Sequence, residues 1–242
     1  MIKVMVNGAK GRMGAEAANA IDKDPALSLV AKIDRDDDLA ASIAHYQPDV
    51  VVDFTIASAG FENTQTIIES GARPVVGTSG FLQDQVAALS QLAKTKSVGG
   101  LIAPNFSLGA VLMMKFAADA ARFLPDVEIV EAHSPQKEES PSGTALRTAE
   151  LINANRISAP LLRGKELFEG ARGAELHDIP LHSIRLPGVV AQQWVMFGGQ
   201  SETLKIEHNS QHRDSFMPGV VLACKKVMEH NELVYGLEHF LE

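Results

Sequence analysis

Residues 2–14 read Ile2-Lys-Val-Met-Val-Asn-Gly8-Ala-Lys-Gly11-Arg-Met-Gly14, and this stretch decides the fold class. The short apolar run predicts a buried strand, Lys3 to Asn7, and the three glycines predict a turn into a helix, Arg12 to Lys23. In such a turn the first glycine permits the tight bend, the middle one lets the backbone approach a pyrophosphate, and the last lets helix and strand pack closely. The helix N-terminus then faces the phosphates. Asp34 closes a second apolar run twenty residues beyond Gly14, where a carboxylate can accept hydrogen bonds from ribose hydroxyls. Arg35 can instead hold a 2′-phosphate, so NADH and NADPH both remain open as the cofactor.

The same alternation continues outward from this unit. Leu29 to Asp34, Val50 to Phe54, Pro74 to Val76 and Gly100 to Ala103 read as strands, and Ala57 to Ser70 and Gln83 to Lys94 as covering helices. The fold class is therefore α/β, with an N-terminal Rossmann-type, doubly wound parallel sheet. Two loops fall at carboxyl ends of its strands: Gly77, Thr78 and Ser79, offering close backbone approach and hydroxyls, and Ala103, Pro104, Asn105 and Phe106, offering an amide and an aromatic wall. Both are candidates to line the nicotinamide side. Asp53, at the end of a third strand, can brace a loop or touch the cofactor. From Asn105 the pattern changes to a long helix, Leu108 to Phe123, a strand, Val127 to Ala132, and a helix, Thr144 to Asn155. Phe168 to Asp178 reads as a looser connection. The runs His182 to Leu186, Val189 to Phe197 and Thr203 to Asn209 then predict a C-terminal α+β domain with a mixed or antiparallel sheet. Pro218-Gly219 opens a last helix, Val220 to Glu229. The expected division is 1–104 for the dinucleotide domain, completed by 214–242, and 105–213 for substrate binding and oligomerisation.

Composition bounds the function. The 242 residues carry 45% hydrophobic and 21% charged side chains and a net charge of −8, enough to bury a substantial core. The acidic balance, with no basic tail or stripe, argues against a nucleic-acid partner. No apolar run reaches membrane-spanning length and the N-terminus lacks a signal-peptide pattern, so neither a membrane nor secretion is expected. Cys224 is the only cysteine, which fits a reducing cytoplasm and excludes an intramolecular disulfide or a cysteine-based zinc site. His177, His182, His208 and His212 lack carboxylate or cysteine partners at ligand spacing, so no metal is expected.

The chemistry concentrates in residues 131–145, Glu-Ala-His-Ser-Pro-Gln-Lys-Glu-Glu-Ser-Pro-Ser-Gly-Thr-Ala. His133 supplies an acid of near-neutral type and Lys137 a positive charge four residues on. The backbone and hydroxyls of Ser142, Gly143 and Thr144, where a helix begins, form a cradle for a carboxylate. His133 is therefore the candidate proton donor.

Taken together, Gly8-x-x-Gly-Arg-Met-Gly14, Val76-Gly-Thr-x-Gly-Phe81, Ala103-Pro-Asn-Phe106, Glu131-x-His-x-x-x-Lys137, Pro-Ser-Gly-Thr-Ala145, Arg185-Leu-Pro-Gly188 and Phe216-Met-Pro-Gly219 resemble the bacterial dihydrodipicolinate reductase (4-hydroxy-tetrahydrodipicolinate reductase) family nearly end to end. The resemblance implies NADH- or NADPH-dependent reduction in the diaminopimelate route to lysine. It places Gly8, Ala9, Lys10, Gly11, Arg12, Met13, Asp34, Arg35, Gly77 to Ser79 and Ala103 to Phe106 around the cofactor. It makes His133 and Lys137 the acid pair and gives Gly143 and Thr144 a substrate carboxylate. It further implies a second domain that contributes a sheet to a homotetramer, with a hinge closing over bound ligands. One departure stands out. Ser134 occupies a position where the family usually has a second histidine that helps bind substrate, and serine donates a hydrogen bond without carrying charge. A related reductase of another small imine or dicarboxylate, and a nucleotide-sensing protein without turnover, are the competing readings.

Overall fold

The apolar run at residues 2–7 forms strand β1 (Ile2–Asn7) in the computed structural model, which describes residues 1–158 and 165–241. The chain divides into two units, Met1–Leu108 with Arg213–Glu242, and Gly109–His212. In the first unit β1 leads into α1 (Arg12–Lys23), β2 (Leu27–Ile33), α2 (Leu39–Tyr46), β3 (Val50–Asp53), α3 (Ala57–Glu69), β4 (Arg73–Val76), α4 (Gln83–Lys96) and β5 (Gly100–Ile102). The chain returns to this unit as α7 (Met217–Lys226) and β11 (Leu233–Tyr235). Its six strands run parallel in the order β11-β5-β4-β3-β1-β2. The chain leaves β1 first toward β2 and then resumes on the other side at β3. A crevice therefore opens at the carboxyl ends of β1 and β3, where Asn7 is in register with Asp53.

Central strands of such a sheet are covered on both faces, which is why β1 and β3 are runs of apolar residues rather than alternations. Val4, Met5, Val6, Val50, Val51 and Val52 are fully buried. Met5 and Val51 pack with Ile33, Ile43 and Ile67, and Val76 and Ile102 pack with Leu89, Ala93 and Leu233. Burial of each such side chain contributes about 1.5–3 kcal/mol. Two elements fall outside the sequence expectation. Helix α2 has only eight residues and buries only Ile43; Asp38 caps it by accepting from the Ala41 N–H. Strand β11 has three residues and exists because it pairs with β5, Leu233 against Gly100.

The second unit carries α5 (Leu108–Ala120), β6 (Asp126–His133), α6 (Gly143–Asn155), β7 (Ala174–Leu176), β8 (Ile179–Arg185), β9 (Ala191–Gly199) and β10 (Glu202–Ser210). The strand order is β10-β9-β6-β8-β7, with β6 and β8 parallel and the other pairs antiparallel, so the sheet is mixed. The long helix ends at Ala120 rather than Phe123, because Pro125 follows and the intervening residues close into turns. The segment 168–178 is not wholly loose: it contains β7, joined to β8 through His177 and Asp178, both with left-handed φ of 53° and 59°. Two consecutive left-handed residues make the tight hairpin turn that Asn-Gly would ordinarily announce. One face of this sheet, carrying Val127, Ile129, Glu131, Gln193, Val195 and Phe197, is buried. Helix α6 packs there through its Ala145, Thr148, Ala149 and Ile152 side, and Gln193 Nε2 donates to Thr148 Oγ1 at 2.7 Å.

Candidate active site

The glycine turn has the shape its spacing predicts. Gly8 adopts φ +80°, and a Cβ there would lie 2.5 Å from the Phe54 carbonyl oxygen. A Cβ on Gly14 would lie 2.1 Å from the Gly8 carbonyl oxygen, so the third glycine is what lets α1 sit against the turn. Around Gly11 the protein is more open: a Cβ would meet only the Gly8 oxygen at 3.2 Å and the Phe54 oxygen at 4.0 Å. What Gly11 keeps clear is space in front of the helix. No side chain caps α1 and no acid occupies its first turn, so its leading N–H groups and dipole suit an anion. Lys10, Arg12 and Arg35 are exposed. Asp34 accepts the Lys10 N–H at 2.9 Å and its neighbour's, Arg35, at 3.0 Å, and these two backbone bonds hold its carboxyl below the usual carboxylate range. Ala9 N–H is bound to the Ile33 carbonyl, which fixes the turn against the end of β2. These residues fit a dinucleotide, with the pyrophosphate at α1 and the adenosine ribose at Asp34.

Beneath the crevice lies a buried carboxylate. Asp53 is fully buried and accepts from Asn7 Nδ2 at 2.9 Å, Asn63 Nδ2 at 3.0 Å, Thr55 Oγ1 at 2.7 Å, Thr78 Oγ1 at 2.6 Å and the Thr55 N–H at 3.1 Å. Five donors from β1, α3 and the loops after β3 and β4 compensate the desolvation of one charge. Asp53 therefore braces the loops. Thr78 is 5% exposed with its hydroxyl committed to Asp53, and Phe106 is 2% exposed with its ring edge-on to Phe54, 5.7 Å between centroids. Thr78 and Phe106 thus lie under the crevice as support, while Ser79, Pro104 and Gly80 are the exposed members of the two loops. Gly77 is required by the same packing, since a Cβ would fall 2.1 Å from the Phe54 ring.

In the second unit β6 delivers Glu131 and His133 to the buried face of the mixed sheet, two residues apart and so on the same side. Glu131 is 1% exposed and its carboxylate receives His133 Nδ1 at 2.5 Å, Arg185 Nη1 at 3.0 Å to both oxygens, and the Ser142 N–H at 3.3 Å. Burial raises the Glu131 pKa, but hydrogen bonds from His133, Ser183 and Arg185 outweigh it and bring it down to about 2. A group ionised throughout the neutral range can only accept, so the proton on Nδ1 of His133 belongs to the hydrogen bond and Nε2 is left as the exchanging nitrogen. The chain then turns: the Lys137 N–H donates to the Ser134 carbonyl, and Lys137 Nζ lies 3.8 Å from exposed Glu139. Ser142 caps α6, its hydroxyl accepting from the Ala145 N–H at 3.2 Å. Both polar groups of Ser142 are thereby engaged inside the protein and its side chain is 2% exposed. Gly143 and Thr144 follow in the first turn of α6, which carries no acidic residue; around Gly143 a Cβ would meet nothing within 4 Å.

Family models settle the relationship. The model described as dihydrodipicolinate reductase, N-terminus, matches residues 2–106, and the one described as its C-terminus matches residues 109–241. The chain belongs to the dihydrodipicolinate reductase family. It is 52% identical over 240 residues to a 4-hydroxy-tetrahydrodipicolinate reductase of Legionella pneumophila (strain Lens) and 47% identical to one of Coxiella burnetii, each covering 99% of both chains. Among solved structures, the dipicolinate-bound dihydrodipicolinate reductase from Paenisporosarcina sp. TG-14 superposes with a TM-score of 0.91 at 40% identity, over 99% of both chains. An amine dehydrogenase from Mycobacterium smegmatis, at 14% identity and a TM-score of 0.67, shares the fold.

Among the described residues, no cluster of three or more His, Cys, Asp or Glu side chains is placed to hold a metal, and no helix is long and apolar enough to cross a membrane. Burial pushes the Cys224 thiol up to about 12, so it carries no thiolate at neutral pH. Residue-by-residue reading had not assigned roles to Asn7, Asn63, Glu131 or Arg185. For Glu131 a signal was present: it occupies the same parity in β6 as Val127 and Ile129, and a charge on the buried face of a strand demands a partner.

Proposed function

We propose that this reductase converts 4-hydroxy-tetrahydrodipicolinate to tetrahydrodipicolinate with NADH or NADPH, within lysine and diaminopimelate biosynthesis. The observation that carries the reading is the joining of His133 and the start of α6 to one buried carboxylate, Glu131, and of the Lys137 turn to that carboxylate through Arg185, in a chain whose other unit holds a dinucleotide crevice. Residues 1–104 and 214–242 form the dinucleotide domain, and 105–213 the substrate domain. The 4-hydroxyl leaves as water, giving a ring carbon conjugated with the imine, and a nicotinamide bound in the crevice would supply the hydride to it. His133 gives a proton from Nε2 to the ring to neutralise the added hydride, while the Lys137 ammonium offsets developing negative charge. One carboxylate of a small dicarboxylate rests on the Gly143 and Thr144 N–H groups, with the α6 dipole adding to their attraction. Gly8 to Met13, Asp34 and Arg35 hold the nucleotide, and Gly77, Ser79 and the Ala103–Phe106 loop border its nicotinamide end. Since Asp34 and Arg35 are adjacent at the ribose position, either cofactor is accommodated. The protein works in the cytoplasm as a homotetramer built on the outer face of the mixed sheet.

The test is a spectrophotometric one. NADH or NADPH oxidation at 340 nm should require freshly generated 4-hydroxy-tetrahydrodipicolinate, and a folded sample without such turnover would remove the reading. His133→Ala and Lys137→Ala should each lower kcat by about 10²–10⁴-fold, with nucleotide affinity unchanged. Ser134 favours a second reading, in which the preferred substrate is another cyclic imine dicarboxylate; a substrate panel in which that compound shows the higher kcat/KM would select it.

A further inference from the structure

Arg185 enters the second unit on β8, paired in register with His133 across two parallel strands. Its side chain is 20% exposed, and its guanidinium reaches three backbone carbonyls in addition to both oxygens of the Glu131 carboxylate. Nη1 donates to both Glu131 oxygens at 3.0 Å and to the Ile184 carbonyl at 2.8 Å; Nε donates to the Lys137 carbonyl at 3.2 Å, and Nη2 to the Glu139 carbonyl at 2.6 Å. Glu131 in turn binds His133 Nδ1 and the Ser142 N–H. The two groups thus touch every part of the acid stretch: the imidazole, the backbone of the turn that bears Lys137, and the residue that caps α6. Glu131 is buried, Arg185 partly so, and each offsets the charge of the other. Resting on the reading of His133 as proton donor, we infer that Glu131 and Arg185 are the positioning residues of the reaction, Glu131 selecting the His133 tautomer and Arg185 holding the Lys137 turn against it.

The division of labour follows from donor geometry. A carboxylate accepts only, so it holds the ring with Nδ1 protonated; an amide in its place can present either an oxygen or an NH₂ group and so stabilises both tautomers. Donation of the Nε2 proton from an imidazolium leaves a neutral ring with its proton on Nδ1, the form that the carboxylate holds; a neutral ring protonated on Nε2 alone would have to become an imidazolate to donate, so losing the tautomer selection slows turnover without touching nucleotide binding. The guanidinium acts through its planar fork. A lysine at 185 keeps the charge opposite Glu131 but cannot also hold the two carbonyls of the turn.

The parent enzyme labelled with ¹⁵N-histidine provides the first readout. At pH 9 the two-bond ¹⁵N–¹H pattern of His133, assigned by its loss in His133→Ala, should be that of the Nδ1-protonated ring; an Nε2-protonated ring in the parent overturns the inference without need of any variant. Glu131→Gln should mix the tautomers and lower kcat about 10- to 1000-fold at unchanged nucleotide KM. Arg185→Lys should retain the parent tautomer while losing at least about tenfold in kcat/KM for the dicarboxylate. Full kcat in Glu131→Gln and Arg185→Lys, alongside a disabled His133→Ala, would sink the positioning roles and leave the donor assignment standing. Full kcat in His133→Ala would remove the donor assignment, and the inference with it.

Discussion

Glu131 places a charge where strand alternation calls for an apolar side chain, and it is tolerable there only because four hydrogen-bonding partners, His133, Ser183, Arg185 and the Ser142 N–H, reach it. That makes its contribution dependent on pH. Its folded pKa, about 2, lies below the ordinary glutamate value of 4.5, so the stabilisation is complete above pH 4.5 and is lost as pH falls from there toward 2. The shift corresponds to on the order of 3 kcal/mol. Unfolding titrations between pH 5.5 and 2.5 should show the parent losing stability over Glu131→Gln, so that the gap between the two narrows with acidification; a constant gap would contradict the assignment. The pair Glu131 and His133 was readable at the residue scale, since both lie in one stretch with a period of two. Arg185 was not, because it lies 54 residues away from Glu131 in the chain and only the parallel pairing of β6 with β8 brings it close.

At the scale of elements, Pro218-Gly219 illustrates how a correct local signal can carry a different reason. The pair reads as a turn that opens a helix at Val220, yet α7 begins at Met217 and Gly219 is already inside it. The glycine is needed for contact: a Cβ would lie 2.0 Å from the Phe106 carbonyl oxygen and 3.0 Å from Leu237 Cδ2. Helix α7 therefore lies directly on the Ala103–Phe106 loop. Gly219→Ala should destabilise the protein by about 1–3 kcal/mol through overpacking and weaken nucleotide binding as that loop moves. Thermal unfolding and a fluorescence titration with NADPH measure the two effects, and an unshifted loop would leave both at parental values.

For the molecule as a whole, the outer face of the mixed sheet is the feature that a single chain leaves unexplained. Val130, Ile184, Trp194 and Met196 lie on it, Ile184 at 41% and Met196 at 46% exposure, among Glu128, His182, Lys205 and Glu207. Lys205 lies over the Trp194 ring, 5.4 Å from its centroid, and binds Glu207 at 2.8 Å. Apolar side chains in the middle of a sheet with charges interspersed suit a face shared between copies. Sedimentation at micromolar concentration should give the mass of four 26.0 kDa chains, and Met196→Glu should yield smaller species of unchanged secondary structure. A monomeric parent would rule out this assembly.

The sequence by itself determined the β1-glycine-α1 turn, the alternation that builds a parallel sheet, and the grouping of His133, Lys137 and the start of α6. Each of these is written within about fifteen residues, where backbone geometry, capping and side-chain period act directly. Only the tertiary structure decided what surrounds them. It showed that Asp53 gathers Asn7, Asn63 and Thr78, that Phe106 packs beneath the crevice, and that the Ser142 N–H is bound to Glu131. It also showed that Arg185 closes the acid stretch from another strand. The physical reason is common to all four: a buried polar or aromatic group is satisfied by whatever the strand order brings beside it, and strand order depends on pairings between segments far apart in the chain.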